Sequence, residues 1–365
     1  MDNNNFYVPI LKWKRGEQKA IELLDKVSKD YIMPLIEIAP IDFDWNNNVP
    51  KKNIDEHVIS IPNTIFTSLG SKRCFIDGLM LEDENLLKDG RHSIQYLIET
   101  SLDLGCNVIP TTGFNRSEEY NNAIKNLLNS NKIDNICIRI EEDYFNTINS
   151  NLNTLLNTLE ILPDKCHIVI DLKEIGTTSL STYDLVLPLI LNNLNFLDKW
   201  LSITIAGTSF PVDLSSVSKN SHRILARSEY SLWNQLISRN AFTREIQFGD
   251  YCISNPQYSD IDPRFMSMSG NIRYTISNGY LIYKGVTTRT NGFSQMIPMS
   301  KMLISSGHFS GVGFSWGDDE INRIANGLSS TGNGETWRRI GTNHHIKFVL
   351  NELLARNYFK TLTHA

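Results

Sequence analysis

Five cysteines in 365 residues, with no CxxC pair among them, cannot frame a fold through zinc, and bridging them would leave one thiol over. Cys74, Cys106, Cys137, Cys166 and Cys252 each lie in or beside a short apolar run, where free Cys behaves as a small buried hydrophobe. No apolar stretch approaches the ~20 residues of a membrane helix. The opening MDNNNFYVPILKWKRGE carries its charges within and after its apolar part, unlike a secretory leader, so a cytoplasmic protein is expected. HExxH and HxH are missing, which removes the zinc-protease reading. Charge of one sign is scarce too: 35 Lys+Arg stand against 40 Asp+Glu, a net −5. That balance argues against duplex nucleic acid bound over a broad face, but leaves room for a local basic pocket.

What is present is enough to bury a large core. The chain is 41% hydrophobic, which excludes disorder. Its length suits two ordinary domains, or one α/β barrel of about 250 residues with additions. No linker or low-complexity tail divides it, so one domain over 1–365 is expected. The cysteines mark a repeat. Cys74, Cys106, Cys137 and Cys166 fall 32, 31 and 29 residues apart, each within a similar phrase such as CFIDGLML or CHIVIDLKE. About 30 residues is the period of a strand and helix unit. Extending it gives eight strand candidates, at 6–13, 32–38, 72–78, 107–112, 135–141, 167–172, 200–207 and 244–252, with amphipathic stretches between them. Continuous apolar runs ending in a polar residue read as parallel strands buried on both faces. Eight such units predict a (β/α)₈ TIM-like barrel over 1–253, with a doubly wound open parallel sheet as the alternative. Residues 254–292 then read as a β-hairpin insertion over the barrel mouth, turning at Ser277, Asn278 and Gly279, and 293–365 as helices packing on the barrel.

In such a barrel the chemistry sits at the C-terminal strand ends, and here those ends are charged. Lys12 and Lys14 end the first strand, two apart and so on one side of an extended chain. Glu37 follows on the second strand, Asp77 on the third, Arg139 and Glu141 on the fifth, Asp171 and Lys173 on the sixth, and Asp250 with Tyr251 on the eighth. Charges inside a strand must be paired or functional. One reading is an ion-pair lattice in which the four cations neutralise Glu37, Asp77, Glu141 and Asp171. The other is a site for an anionic, phosphate-containing ligand, with Lys12, Lys14, Arg139 and Lys173 as anchors. Glu37, Asp77, Glu141, Asp171, Asp250 and Tyr251 would then be acids or bases, and Asp77, Glu141 and Asp171 an oxygen set suited to Mg²⁺. Arg227, Arg273 and Lys284 add cations beyond the eighth strand, and His344 and His345 adjoin a late helix. GHFSGVGFSWGDDE (307–320) is glycine-rich but matches neither GxGxxG nor GxxxxGK[ST], and reads as a loop with Asp318 as a helix cap.

The ordered phrases YVPILKWKRGE, PLIEI, FIDG, RSEYSLW, FGDYCISNP, IRYT with YLIYKG, and WRRIGTNHHI resemble the Beta protein family of bacterial genomes and temperate phages. The likeness runs along nearly the full chain, with Tyr230 standing where the family phrase carries Trp. It implies a prophage or mobile-element context and an anti-phage role, by phage exclusion or a toxin–antitoxin-like function, and supplies no catalytic residues. Two functions are therefore expected from the same charged mouth. One is a hydrolase acting on a nucleotide or a nucleic-acid phosphodiester. The other is a non-catalytic sensor or antitoxin that binds a toxin or phage protein.

Overall fold

Each apolar run of the 30-residue period becomes a strand. The computed structural model describes residues 5–84, 86–176, 179–258, 268–356 and 358. Its first seven barrel strands are β1 Val8–Leu11, β2 Leu35–Glu37, β3 Arg73–Asp77, β4 Asn107–Gly113, β5 Ile136–Glu141, β6 Cys166–Glu174 and β7 Ser202–Thr208. The chain then makes β8 Ser221–Leu225 outside the barrel and returns as β9 Gln247–Asp250. The ring β1 to β7 is closed by β9, which pairs in parallel with both β7 and β1. Because β1 also pairs with β2, no edge is left open, and the alternative of an open sheet is excluded.

The ring of helices follows the same logic. α1 Arg15–Glu22, α2 Ile61–Leu69, α3 Ser93–Asp103, α4 Glu118–Asn129, α5 Ile148–Leu159, α6 Leu180–Asn192 and α7 Ser228–Ser238 follow β1 to β7 in turn. Local chemistry sets their ends. Ser117 accepts from the Tyr120 amide and caps α4, whose first turn carries Glu118 and Glu119 at the positive end of the helix dipole. Gly105, at φ 85°, follows the end of α3. The α5 helix ends at Leu159, where Glu160 turns the chain in a left-handed conformation.

Beyond β9 lies a smaller layer. The hairpin of β10 Ser269–Ile276 and β11 Gly279–Thr287 forms where the Asn-Gly signal predicts it. It gains β8 as a third antiparallel strand, which the sequence reading did not include. α8 Met296–Ser305 and α9 Trp316–Ala325 pack on this sheet through Ile272, Tyr274, Met296, Leu303 and Ile321. α10 Gly334–Ala355 joins the two layers. Its Trp337 and Ile340 enter the smaller core, while Ile346, Val349, Leu350 and Leu353 enter the barrel's helix layer. It lies against α1 and bonds to β9, so it completes the barrel as its eighth helix in addition to covering it. α9 approaches α10 closely at Gly317, where a Cβ would stand 2.4 Å from the Ile340 carbonyl oxygen. Ser315, not Asp318, caps α9. Part of the expected insertion, 259–267, and the last residues of the C-terminal region lie outside the described residues.

All five cysteines are free and buried. Among the described residues, no helix is long and apolar enough to cross a membrane.

Candidate functional site at the barrel mouth

Side chains alternate along each strand, and one set fills the barrel. Val8, Ile10, Leu35, Phe75, Ile109, Cys137, Val169 and Ala206 form the lower lumen. The same parity carried toward the C-terminal ends brings up Lys12, Glu37, Asp77, Arg139, Asp171 and Tyr251. Register does the rest, since Glu37 pairs with Asp77 across β2 and β3.

Arg139 organises this layer. Its Nη1 lies 2.8 Å from Glu37 Oε1 and 2.9 Å from Asp77 Oδ2, and its Nη2 lies 2.7 Å from Asp171 Oδ2. The Tyr251 hydroxyl accepts from Nη2 at 2.6 Å and donates to Asp171 Oδ2 at 2.7 Å. Arg116 adds a second guanidinium, with Nη2 2.8 and 2.9 Å from the two oxygens of Asp77. Burial alone would resist ionisation of Asp77, but the two arginines outweigh it and hold its pKa below the ordinary carboxylate value. Glu37 goes the other way. Burial and the neighbouring Asp77 raise its pKa despite Arg139, and its second oxygen, Oε2, is buried with no hydrogen-bond partner.

Above the lattice is a cleft of about 510 Å³ lined by Lys12, Lys14, Arg15, Arg273 and Arg338, with Glu17 and Glu335 as its acids. The turn that builds it is strained. Trp13, between the two lysines, has φ 37°, a conformation bulky residues rarely hold, and its indole donates to Thr64 Oγ1 at 2.8 Å. Both flanking ammonium groups lie over the ring of Tyr258, Lys12 at 4.0 Å and Lys14 at 5.5 Å from its centroid. Burial pushes the Lys12 pKa down to about 8, with Lys14 and Arg338 acting in the same direction and Glu37 against it. Its ammonium also donates to the Gln257 carbonyl at 2.6 Å.

The remaining candidates are dispersed. Glu141 and Lys173 pair with each other at 2.7 Å on the rim. Asp250 cannot share the lumen with Tyr251, because consecutive strand residues face opposite sides. It points outward, accepting from Tyr7 at 2.5 Å and meeting His345 Nε2 at 2.9 Å, while His345 Nδ1 meets Thr275 Oγ1 at 2.8 Å. His344 bridges Asp318 and the Thr275 carbonyl, each at 2.9 Å. Both histidines are fully buried and join α10 to the sheet layers. Arg227 is buried against Glu352 at 2.9 Å, and Lys284 donates to the Leu214 carbonyl. Of the cations beyond the eighth strand, Arg273 does reach the cleft, donating to the Ile253 carbonyl at 2.9 Å.

Asp77, Glu141 and Asp171 do not fit Mg²⁺. Arg139 already spans Asp77 and Asp171 with its own positive charge, and Glu141 is turned to Lys173. Among the described residues, the gathering of ligand-type atoms is Asp250, Cys252 and His345, within 4.8 Å of one another. Its carboxylate and ring already have partners in Tyr7 and Thr275, as a hydrogen-bonded core does.

Arg15, Glu17, Arg116, Tyr258, Glu335 and Arg338 lay beyond sequence reasoning. Arg116 follows a strand by three residues and carries the same signal as Lys14, whereas Tyr258 and Arg338 reach the mouth from irregular chain and from a distant helix.

No curated protein matches this chain. Its structure is similar to a mandelate racemase/muconate lactonizing protein from Herpetosiphon aurantiacus, at 10% identity and a TM-score of 0.34, over 78% of this chain and 63% of that one. It is also similar to the N-terminal domain of a presumed aldolase from Bacteroides vulgatus, at 9% identity and a TM-score of 0.35, over 97% of each chain. The chain thus spans less than two thirds of the first of these proteins. The barrel assignment rests on the strand pairings themselves. The model of the family described as Beta protein matches residues 7–351, and the chain belongs to that family.

Proposed function

We propose that the mouth cleft binds a phosphate-containing ligand, a nucleotide or a nucleic-acid phosphodiester, and that the protein acts on it in prophage- or mobile-element-associated defence. One observation carries the ligand class. Lys12 and Lys14 are held over Tyr258 by a strained Trp13, in a cleft whose cations outnumber its acids five to two. Strain of this kind persists only where its surroundings over-determine it, and here it aims two ammonium groups at one space. The defence role follows from the family likeness alone.

For hydrolysis, Glu37 is the acid of the lattice with a pKa raised by burial and a second oxygen that has no hydrogen-bond partner, so it is the carboxylate placed to exchange a proton. It would take the proton of a water attacking phosphorus while Lys12 and Lys14 hold the phosphate oxygens, and the alcohol oxygen released as the P–O ester bond breaks would take its proton from solvent at the mouth. Asp77, Asp171 and Tyr251 then act as positioning residues through Arg139. That same pairing favours a second reading, a non-catalytic sensor or antitoxin that binds the ligand, or a toxin or phage protein, without turnover. Titration calorimetry with nucleoside monophosphates tests the ligand class. Binding to the wild type and its loss in Lys12→Ala/Lys14→Ala are expected, and equal binding by both proteins would refute it. Product formation abolished by Glu37→Gln marks the enzyme. Binding without turnover in the wild type marks the sensor.

A further inference from the structure

We infer that the ligand of the mouth is a single-stranded polynucleotide, lying across two joined clefts, and not a lone nucleotide. The inference rests on the phosphate reading above and deepens it. A second cleft, of about 440 Å³, opens beside the first under the loop that follows β2. Lys14 and Arg15 line both, so the two spaces meet at the end of β1. The second adds Lys51 and Lys52, with Asp42 as its acid. Together the clefts gather seven lysines and arginines against three carboxylates, on a chain whose net charge is −5. One phosphate needs only the first cluster. Cations continuing past it match a ligand with phosphates at intervals.

Aromatic rings stand at both ends of this path. Tyr258 lies at the first cleft. At the second, a two-residue antiparallel ladder, Phe43–Asp44 with Val49–Pro50, rises from the pair of Asp42 and Lys51, whose backbones bond at 2.8 Å. It carries Phe43 and Trp45, 36% and 39% exposed, packed edge to face at 5.1 Å. Large aromatics left half in water beside lysines form a stacking platform for unpaired bases, and such stacking tolerates any sequence. A duplex hides its base faces, and the acidic balance of the whole chain opposes one laid across a broad surface.

Fluorescence anisotropy on the full chain tests this with a labelled oligothymidylate and the matching oligouridylate of about eight nucleotides, the same strand in a duplex, and a labelled mononucleotide. The single strands should bind at least about tenfold tighter than the mononucleotide, and tighter than the duplex. The exposed pair Lys51→Ala/Lys52→Ala should weaken the single strands and lower their salt slope by about 1.4, at about 0.7 per phosphate contact, leaving the mononucleotide unchanged. Equal affinity for oligomer and mononucleotide, an unaltered oligomer affinity in that variant, or preference for the duplex overturns the inference while the phosphate reading stands. Failure of every probe, the mononucleotide included, overturns both.

Discussion

Glu37 gives one carboxylate oxygen to the Arg139 guanidinium at 2.8 Å and leaves the other buried without a partner. A raised pKa means that the folded state holds the Glu37 proton at pH values where the unfolded chain has released it, so stability falls as pH rises from about 4.5 through the folded value. Gln at this position keeps the shape and cannot ionise. Glu37→Gln should therefore match the wild type near pH 4 and equal or exceed its stability at pH 8, by urea denaturation at each pH. If the protein turns over a phosphodiester, the same variant should lose about 10²- to 10⁴-fold in rate.

Removing the centre of the lattice should do the opposite. Arg139→Met strands Asp77, Asp171 and Glu37 without their shared donor, and breaking a buried pair of this kind costs about 3–5 kcal/mol. Arg139→Lys should recover only part of that, because an ammonium cannot reproduce the planar fork that reaches three strands. Equilibrium denaturation of the two variants checks the order.

Asp250 and Tyr251 adjoin in sequence and face opposite layers, so their variants should separate stability from binding. Burial resists the Asp250 charge, but His345 and Tyr7 outweigh it and lower its pKa. Its contribution is present above about pH 4, the unfolded value, and is lost as pH falls through the folded one. Asp250→Asn should lower stability at pH 7 and leave nucleotide affinity unchanged; a variant that folds normally and loses affinity would return Asp250 to the mouth.

Lys12 makes anion binding pH-dependent. In the free protein its ammonium is lost around pH 8. Affinity for a phosphate ligand should be full below that value and decline above it, and a bound anion should raise the Lys12 pKa. Calorimetry from pH 6 to about 10 in wild type and Lys12→Met checks this, the variant giving a flatter profile.

The eight strands were legible because a parallel strand buried on both faces writes itself as an apolar run, and the 30-residue period set their order. The hairpin was legible in Asn278-Gly279. β8 was not: its Ser221, His222 and Arg223 are partly or fully exposed, and only pairing with β11 makes it a strand. The lumen residues Lys12, Glu37, Asp77, Arg139 and Asp171 followed from strand ends, whereas placing Asp250 beside them ignored the two-residue period that sends it outward. His344 and His345 read as ligand-binding candidates beside a late helix, and their burial shows only in three dimensions. The positive φ of Trp13, which aims the lysines, has no sequence signal, since any residue but glycine pays for that conformation.

The most direct measurement of the central claim is a crystal structure with a nucleoside monophosphate bound. Its phosphate is expected within hydrogen-bond reach of Lys12 and Lys14, above the Arg139 lattice. Density for the ligand elsewhere, such as the cavity of about 590 Å³ beside Trp233 and Arg244, with the mouth free of it, would contradict the account.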